Sequence, residues 1–345
     1  MLIHHNLSFH NAAELLPHGP ESWQPLRVPQ SLREKLSSMG RQRLGEPFGI
    51  EIRFVNEAAE ETVEICLSSP DEEPANFIAY CGELSAPNPV PIPKEPTWFS
   101  LQTPERLSWA RREHFEQSPF SLAVNRLVLQ GRSLRYHGVR GGSVRPPTPE
   151  ELPARTLLAY GTSLTQGSCS WLQPLTYPSL LGRALGMDVL NLGSGGSGFC
   201  EPEMTDYLAT LEWDAAVLDP VTNLMAQEYA LEEFSTRLAY LVDTLTGSHP
   251  GKPIVCLAMT PSYCPNGNEP GRMESFRDAV AECANGTHDR VVFVDANPVI
   301  NIYPNYSVDL IHPSPHGYLA IAQCVEPHLR KLLSENNPTE SQTNE

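Results

Sequence analysis

Apolar and polar positions follow two different rhythms in the two halves of the chain. In the first 140 residues they alternate in strand-length runs. Ile50-Glu-Ile-Arg-Phe-Val and Thr62-Val-Glu-Ile-Cys-Leu change sides at nearly every residue, and Trp98-Phe-Ser-Leu and Leu127-Val-Leu-Gln add shorter runs. A period of two puts successive side chains on opposite faces of a sheet, which suits strands with one buried face. Pro, Gly, Asn or Asp bound each run, and only residues 32–44 carry a pattern that predicts a short helix. The proline-laced Ala86-Pro-Asn-Pro-Val-Pro-Ile-Pro predicts a loop or a sheet edge, because proline has no N–H to give to a ladder. The fold expected of residues 1–140 is an all-β sandwich.

Residues 141–154, rich in Gly and Pro, read as a linker, and beyond them the rhythm changes. Short β-rich runs at 156–160, 188–192, 215–218, 254–259 and 291–294 alternate with helical patterns at 177–185, 203–211, 230–245 and 271–283. A last amphipathic stretch, about 317–333, gathers Tyr318, Ile321, Cys324, Val325, Leu329, Leu332 and Leu333 on one face. Five strands in βα alternation predict a three-layer α/β/α domain with a parallel, flavodoxin-like sheet over residues 155–335. The polar residues 336–345 are expected to be a disordered tail.

In a parallel sheet all post-strand loops emerge at one edge, where ligands of α/β folds bind. Four segments fall at such places. Gly161-Thr-Ser163 follows the first strand, and Asn191-Leu-Gly-Ser-Gly-Gly196-Ser-Gly198 the second. Asp219-Pro-Val-Thr-Asn223 follows the third, and Asp309-Leu-Ile-His312 precedes the last helix. A serine hydroxyl is a weak nucleophile until a base takes its proton. His312 is the candidate base, and Asp309 the carboxylate that orients the ring and stabilises its charged form. The backbone N–H groups of Ser163 and Gly196 and the side-chain amide of Asn223 are candidate donors to an oxyanion. Gly196 is chosen by counting from Asn191, and Gly195 stays open as the alternative.

These four segments, in this order, resemble the blocks of the SGNH, or GDSL-type, hydrolase superfamily. The resemblance covers roughly residues 155–333 and is strongest to bacterial members that carry an N-terminal β-sandwich. A phrase similar to Tyr160-Gly-Thr-Ser-Leu-Thr-Gln-Gly167 opens their catalytic domain. Thr162 stands where the family name has Asp, and Gly195 where many relatives have Ser. The resemblance implies a metal-independent, cofactor-free ester hydrolase that works through a Ser163 acyl-enzyme. Its substrates would be small esters, such as acetyl groups on sugars. Acyl transfer to an alcohol by the same intermediate is the alternative, and a non-catalytic carbohydrate-binding protein a third reading. Residues 1–140 would then be an accessory domain that shapes the substrate site or makes a homo-oligomer.

Composition narrows partners more than chemistry. The 345 residues carry 41 acidic and 24 basic side chains, for a net charge of −17. So acidic a chain is a poor partner for nucleic acid or anionic membranes. No leader-like basic head with an apolar stretch opens the sequence, so a cytoplasmic location is expected. The eight cysteines form no CxxC pair, and Cys169 and Cys200 are read as small buried residues beside the motif loops.

Three competing readings are weaker. Gly193-Ser-Gly-Gly-Ser-Gly198 satisfies Gly-x-Gly-x-x-Gly, with Asp219 as a ribose-binding mimic. The next helix, however, is predicted to start only near Pro202, too late to meet a pyrophosphate. Asp309, His312 and His316 suggest a metal site, but Pro313 and Pro315 prevent a regular helix and no further ligand is evident. His316 is read as capping the last helix. Trp23, Trp98 and Trp109 are expected in the sandwich core rather than as a sugar-stacking platform, and His4, His5 and His10 are expected to be exposed.

Overall fold

The computed structural model describes the chain except residues 59, 110, 112, 114, 116, 117, 228, 262–268, 270, 287 and 336–345. The expected tail therefore lies outside the described residues. Two compact units emerge, Met1–Lys35 with Arg41–Ala154, and Leu36–Gly40 with the described part of Arg155–Glu345.

The first unit is built of two antiparallel sheets. One runs Leu2–His4, Leu7–His10, Glu51–Asn56, Val124–Gln130, Asn76–Cys81, Leu84–Ser85. The other runs Thr97–Leu101, Val63–Ser68, Arg135–Arg140, Trp23–Leu26, Glu14–Pro17. Phe9, Ile52, Phe54, Phe77 and Leu127 of the first sheet share one buried cluster with Val63, Ile65, Leu67 and Tyr136 of the second. Such a shared core between facing sheets makes a β-sandwich. The proline-laced segment supplies Val90–Pro91, paired at the margin of Asn76–Cys81, as an edge should. Val144–Arg145, in the stretch read as linker, pairs with Asn56 and Val55.

Three expectations need correction. Residues 32–44 form two short helices, Gln30–Arg33 and Ser38–Arg43. The reason is local: Ser37 Oγ accepts the N–H of Gly40 at 3.1 Å, so a new helix is capped there. Trp98 and Trp109 are not core residues. Trp98 faces outward under the Arg140 guanidinium, 4.1 Å from its ring centre, and Trp109 is exposed. His4 is half-buried, edge-on to Trp23 and Tyr136.

The second unit carries a parallel sheet in the order Asp188–Gly193, Thr156–Gly161, Ala215–Asp219, Ile254–Ala258, Val291–Asp295. Helices Tyr177–Leu185 and Pro315–Ser334 cover one face, burying Leu181, Leu185, Tyr318, Ile321, Val325 and Leu329 against Leu157, Val217, Val255 and Leu257. On the other side helix Leu231–Ser248 packs with Arg272–Gly286, and Phe234 stacks on Phe276 at 4.8 Å. Each leucine so buried contributes about 1.5–3 kcal/mol. In this 2-1-3-4-5 order the chain first winds to one side of Thr156–Gly161 and then to the other. A crevice therefore opens between the carboxyl ends of Thr156–Gly161 and Ala215–Asp219. Among the described residues no helix is long and apolar enough to cross a membrane.

Candidate active site

Register decides what meets in that crevice. Gly161 lies opposite Gly193 on one neighbouring strand and Asp219 on the other, so three loops leave the sheet side by side. The first turns at once into a single helical turn, Ser163–Gln166, whose start is capped by Thr162 Oγ1 accepting from Leu164 N–H at 3.3 Å. Its end is the left-handed Gly167, with φ 105°. The turn lifts Ser163 to the rim of the sheet.

A buried carboxyl holds that turn from below. Asp219 Oδ2 accepts from Thr162 Oγ1 at 2.8 Å and from Thr165 Oγ1 at 3.2 Å, and Thr165 also meets Tyr177 Oη at 2.8 Å. Burial raises the Asp219 carboxyl to about 7, although the Thr162 and Thr165 hydrogen bonds favour its ionised form. Asp219→Ala strands these donors in a cavity and is expected to destabilise by about 2–4 kcal/mol, with a smaller loss for Asp219→Asn. Thermal denaturation checks this, and equal melting of all three proteins would contradict it.

The second loop is lashed to the first. Gly193 N–H donates to Asn191 Oδ1 at 3.0 Å, Asn191 Nδ2 to Thr165 O at 2.9 Å, and Ser194 N–H to Gly161 O at 2.9 Å. Gly195 N–H donates to Gln166 Oε1 at 2.6 Å and is thereby occupied. The N–H groups of Ser163 and Gly196 have no hydrogen-bond partner among the described residues, and Gly196 is left-handed at φ 67°. Asn223 Nδ2 donates to Ser197 O at 2.5 Å, which brings its amide to the same loop. Gly196 is thus the free donor of the pair that counting left open.

The fourth segment folds around one carboxylate. Asp309 Oδ1 accepts from Ser307 Oγ at 2.7 Å, Ile311 N–H at 3.0 Å and His312 N–H at 2.9 Å, an Asx-type turn that needs Asp at its first position. Its other oxygen is left facing the ring, and His312 Nδ1–H donates to Oδ2 at 2.6 Å. His312 Nε2 then accepts from Ser163 Oγ at 2.8 Å. Burial pushes the Asp309 carboxyl up, but the hydrogen bonds from the His312 ring and the backbone outweigh it and hold it well below the usual carboxylate range. Burial likewise pushes the imidazole down, while hydrogen bonds to Cys169 and Asp309 overcome this and raise it.

Other neighbours depart from expectation. Cys169 is exposed, not buried, with Sγ 3.7 Å from Asp309 Oδ2, whereas Cys200 is buried as expected. Ser314, not His316, caps the last helix, accepting from Gly317 N–H at 3.3 Å. Helix Pro202–Leu208 begins at its proline, away from the glycine-rich loop. Sequence reasoning missed Ser37 and Met39, which belong to the second unit. Ser37 Oγ lies 3.3 Å from Ser197 Oγ, and Met39 Cγ would be 3.1 Å from a Cβ on Gly196. Their one sequence signal is Ser37 followed three residues on by Gly40, a cap inside a supposed helix.

A hydroxyl, an imidazole and a carboxylate bonded in series at the carboxyl edge of a parallel sheet are the arrangement of the serine hydrolases, a class found on several folds. The chain belongs to the GDSL-like lipase/acylhydrolase family, whose model matches residues 154–330. Solved structures share the fold at low identity. The salicylyl-acyltransferase SsfX3 from a tetracycline biosynthetic pathway matches with a TM-score of 0.75 at 18% identity, over 95% of each chain. A family two carbohydrate esterase from Clostridium thermocellum, in complex with cellohexaose, matches at 0.57 and 16%, over 83% of this chain and 92% of that one. An acetyl xylan esterase from Butyrivibrio proteoclasticus matches at 0.51 and 15%, over 85% and 93% respectively. No curated protein sequence matches the chain.

Proposed function

We propose that the chain is a serine esterase that removes small acyl groups, acetyl above all, from a carbohydrate. The observation that carries this reading is the unbroken series Ser163 Oγ, His312 and Asp309, at 2.8 Å and 2.6 Å, beside two unpartnered backbone N–H groups. As Ser163 Oγ attacks the ester carbonyl, its proton passes to His312 Nε2, and Asp309 stabilises the imidazolium. The carbonyl oxygen becomes an oxyanion, received by the Ser163 and Gly196 N–H groups and the Asn223 amide. Collapse expels the alcohol, protonated by His312, and leaves Ser163 acylated. Water then attacks with His312 again as base, releasing the acid and restoring the serine.

The carbohydrate is supported by the matches to a family two carbohydrate esterase and an acetyl xylan esterase over 83% and 85% of this chain. Acyl transfer is the second reading, favoured by the match to SsfX3 over 95% of both chains. The two differ only in what attacks the acyl-enzyme. Offering acetylated xylose with and without a second sugar tests both: free acetate alone supports hydrolysis, and acetylated acceptor in excess of acetate supports transfer.

His312 must be neutral to act as base, and its pKa is raised above the ordinary 6.5. The sign follows: kcat/KM is full above that raised value and falls as pH drops through it. The acid limb is expected to have its midpoint above 6.5, and a profile flat to well below that pH would contradict the assignment.

A further inference from the structure

We propose that Cys169, Asp309 and His312 form an inhibitory site for a borderline-soft divalent cation of the zinc class. The inhibition rests on the proposed role of His312, whereas the binding does not. One ligand atom from each of the three residues lies within 4.8 Å of the other two. Thiolate, imidazole and carboxylate together are a donor set that zinc takes in preference to magnesium or calcium.

The three are presented rather than merely adjacent. Cys169 is the exposed one among the described cysteines, and its backbone is left-handed at φ 64°. The conformation is uncommon for a residue with a side chain. It is held by Ser170 N–H donating to Gly167 O at 3.2 Å and by Tyr318 Oη donating to Ser168 O at 2.6 Å. Asp309 is anchored through Oδ1 by three donors, so Oδ2 is the oxygen that faces both His312 and the thiol. The site is also open: the Asp309 side chain is 38% exposed and that of His312 21%.

Bond lengths say what must move. Tetrahedral zinc separates a thiolate sulfur from a carboxylate oxygen by about 3.6 Å, and an imidazole nitrogen from that oxygen by about 3.4 Å. Sγ and Oδ2 already stand 3.7 Å apart. Nδ1 and Oδ2, at 2.6 Å, must part, so the cation enters by breaking their hydrogen bond. The thiol proton goes to solvent. The proton on Nδ1 is displaced as well and moves, by exchange through solvent, to Nε2, so the ring stays neutral as the other tautomer. That tautomer cannot accept a proton from Ser163, so the cation switches the base off while leaving the nucleophile in place. The thiolate and carboxylate neutralise the added double charge, and water completes the coordination.

The test uses the full chain with cobalt(II) and zinc(II) as probes. Cobalt titration of the wild type and of Ser163→Ala is expected to give a thiolate-to-cobalt charge-transfer absorbance, absent in Cys169→Ser and Cys169→Ala. Zinc should inhibit the wild type reversibly, with chelator restoring the rate. Each Cys169 variant, scored against its own uninhibited rate, should be at least about tenfold less sensitive. No charge-transfer band in the wild type, or equal zinc sensitivity in variants that melt like the wild type, would overturn the site. Full activity of Ser163→Ala would instead sink the esterase mechanism and leave the cobalt band to be judged alone.

Discussion

Ser163→Ala is expected to lower kcat on p-nitrophenyl acetate by about a thousandfold or more, with KM little changed, because it removes the atom that forms the acyl-enzyme. His312→Ala should be about as severe. With Nε2 2.8 Å from Ser163 Oγ, the two groups act as one device. The double variant should therefore be scarcely slower than either single one, since a nucleophile without a base and a base without a nucleophile fail at the same step. What activity remains would come from binding and the oxyanion donors. Steady-state kinetics on the three variants decide the matter. Multiplying losses would mean that the residues act independently.

Gly193→Ala should have the second largest effect, though position 193 touches no substrate. A Cβ there would lie 2.1 Å from the backbone nitrogen of Gln166 and 2.6 Å from the carbonyl carbon of Thr165. Both are backbone atoms of the turn that carries Ser163, so no flexible side chain can swing aside. The expected cost is about 3 kcal/mol or more, as for overpacking that moves the main chain. A nucleophile displaced by even about 1 Å loses on the order of a hundredfold in rate. Calorimetry and kcat together check this, and a variant with the wild-type melting point and rate would contradict the packing described at Gly161 and Gly193.

That Ser163, Asp309 and His312 come together was legible in the chain because their signals are local. The nucleophile candidate sits where an apolar run breaks at a glycine, and Asp309 and His312 are spaced so that one carboxylate can cap the backbone and hold the ring. Which of Gly195 and Gly196 keeps an unoccupied N–H was not legible. It turns on Gln166 Oε1 reaching Gly195 N–H, a contact across the sheet edge. Asp219 read as a dinucleotide mimic because its real partners, Thr162 and Thr165, come to it only through strand register. Alternation told strands from helices in the first unit but not which face a tryptophan takes, hence the misplaced Trp98 and Trp109. Ser37 and Met39 lie more than a hundred residues from the loop they meet, and no periodicity reports such a contact.

The central claim is that Ser163 is an activated nucleophile. A fluorophosphonate probe reacts with a serine only when a neighbouring base and oxyanion donors make it one. Labelling the intact protein and mapping the adduct by peptide mass should place one phosphonate on Ser163, and His312→Ala should abolish it. An adduct on another residue, or none while esterase activity persists, would contradict the account.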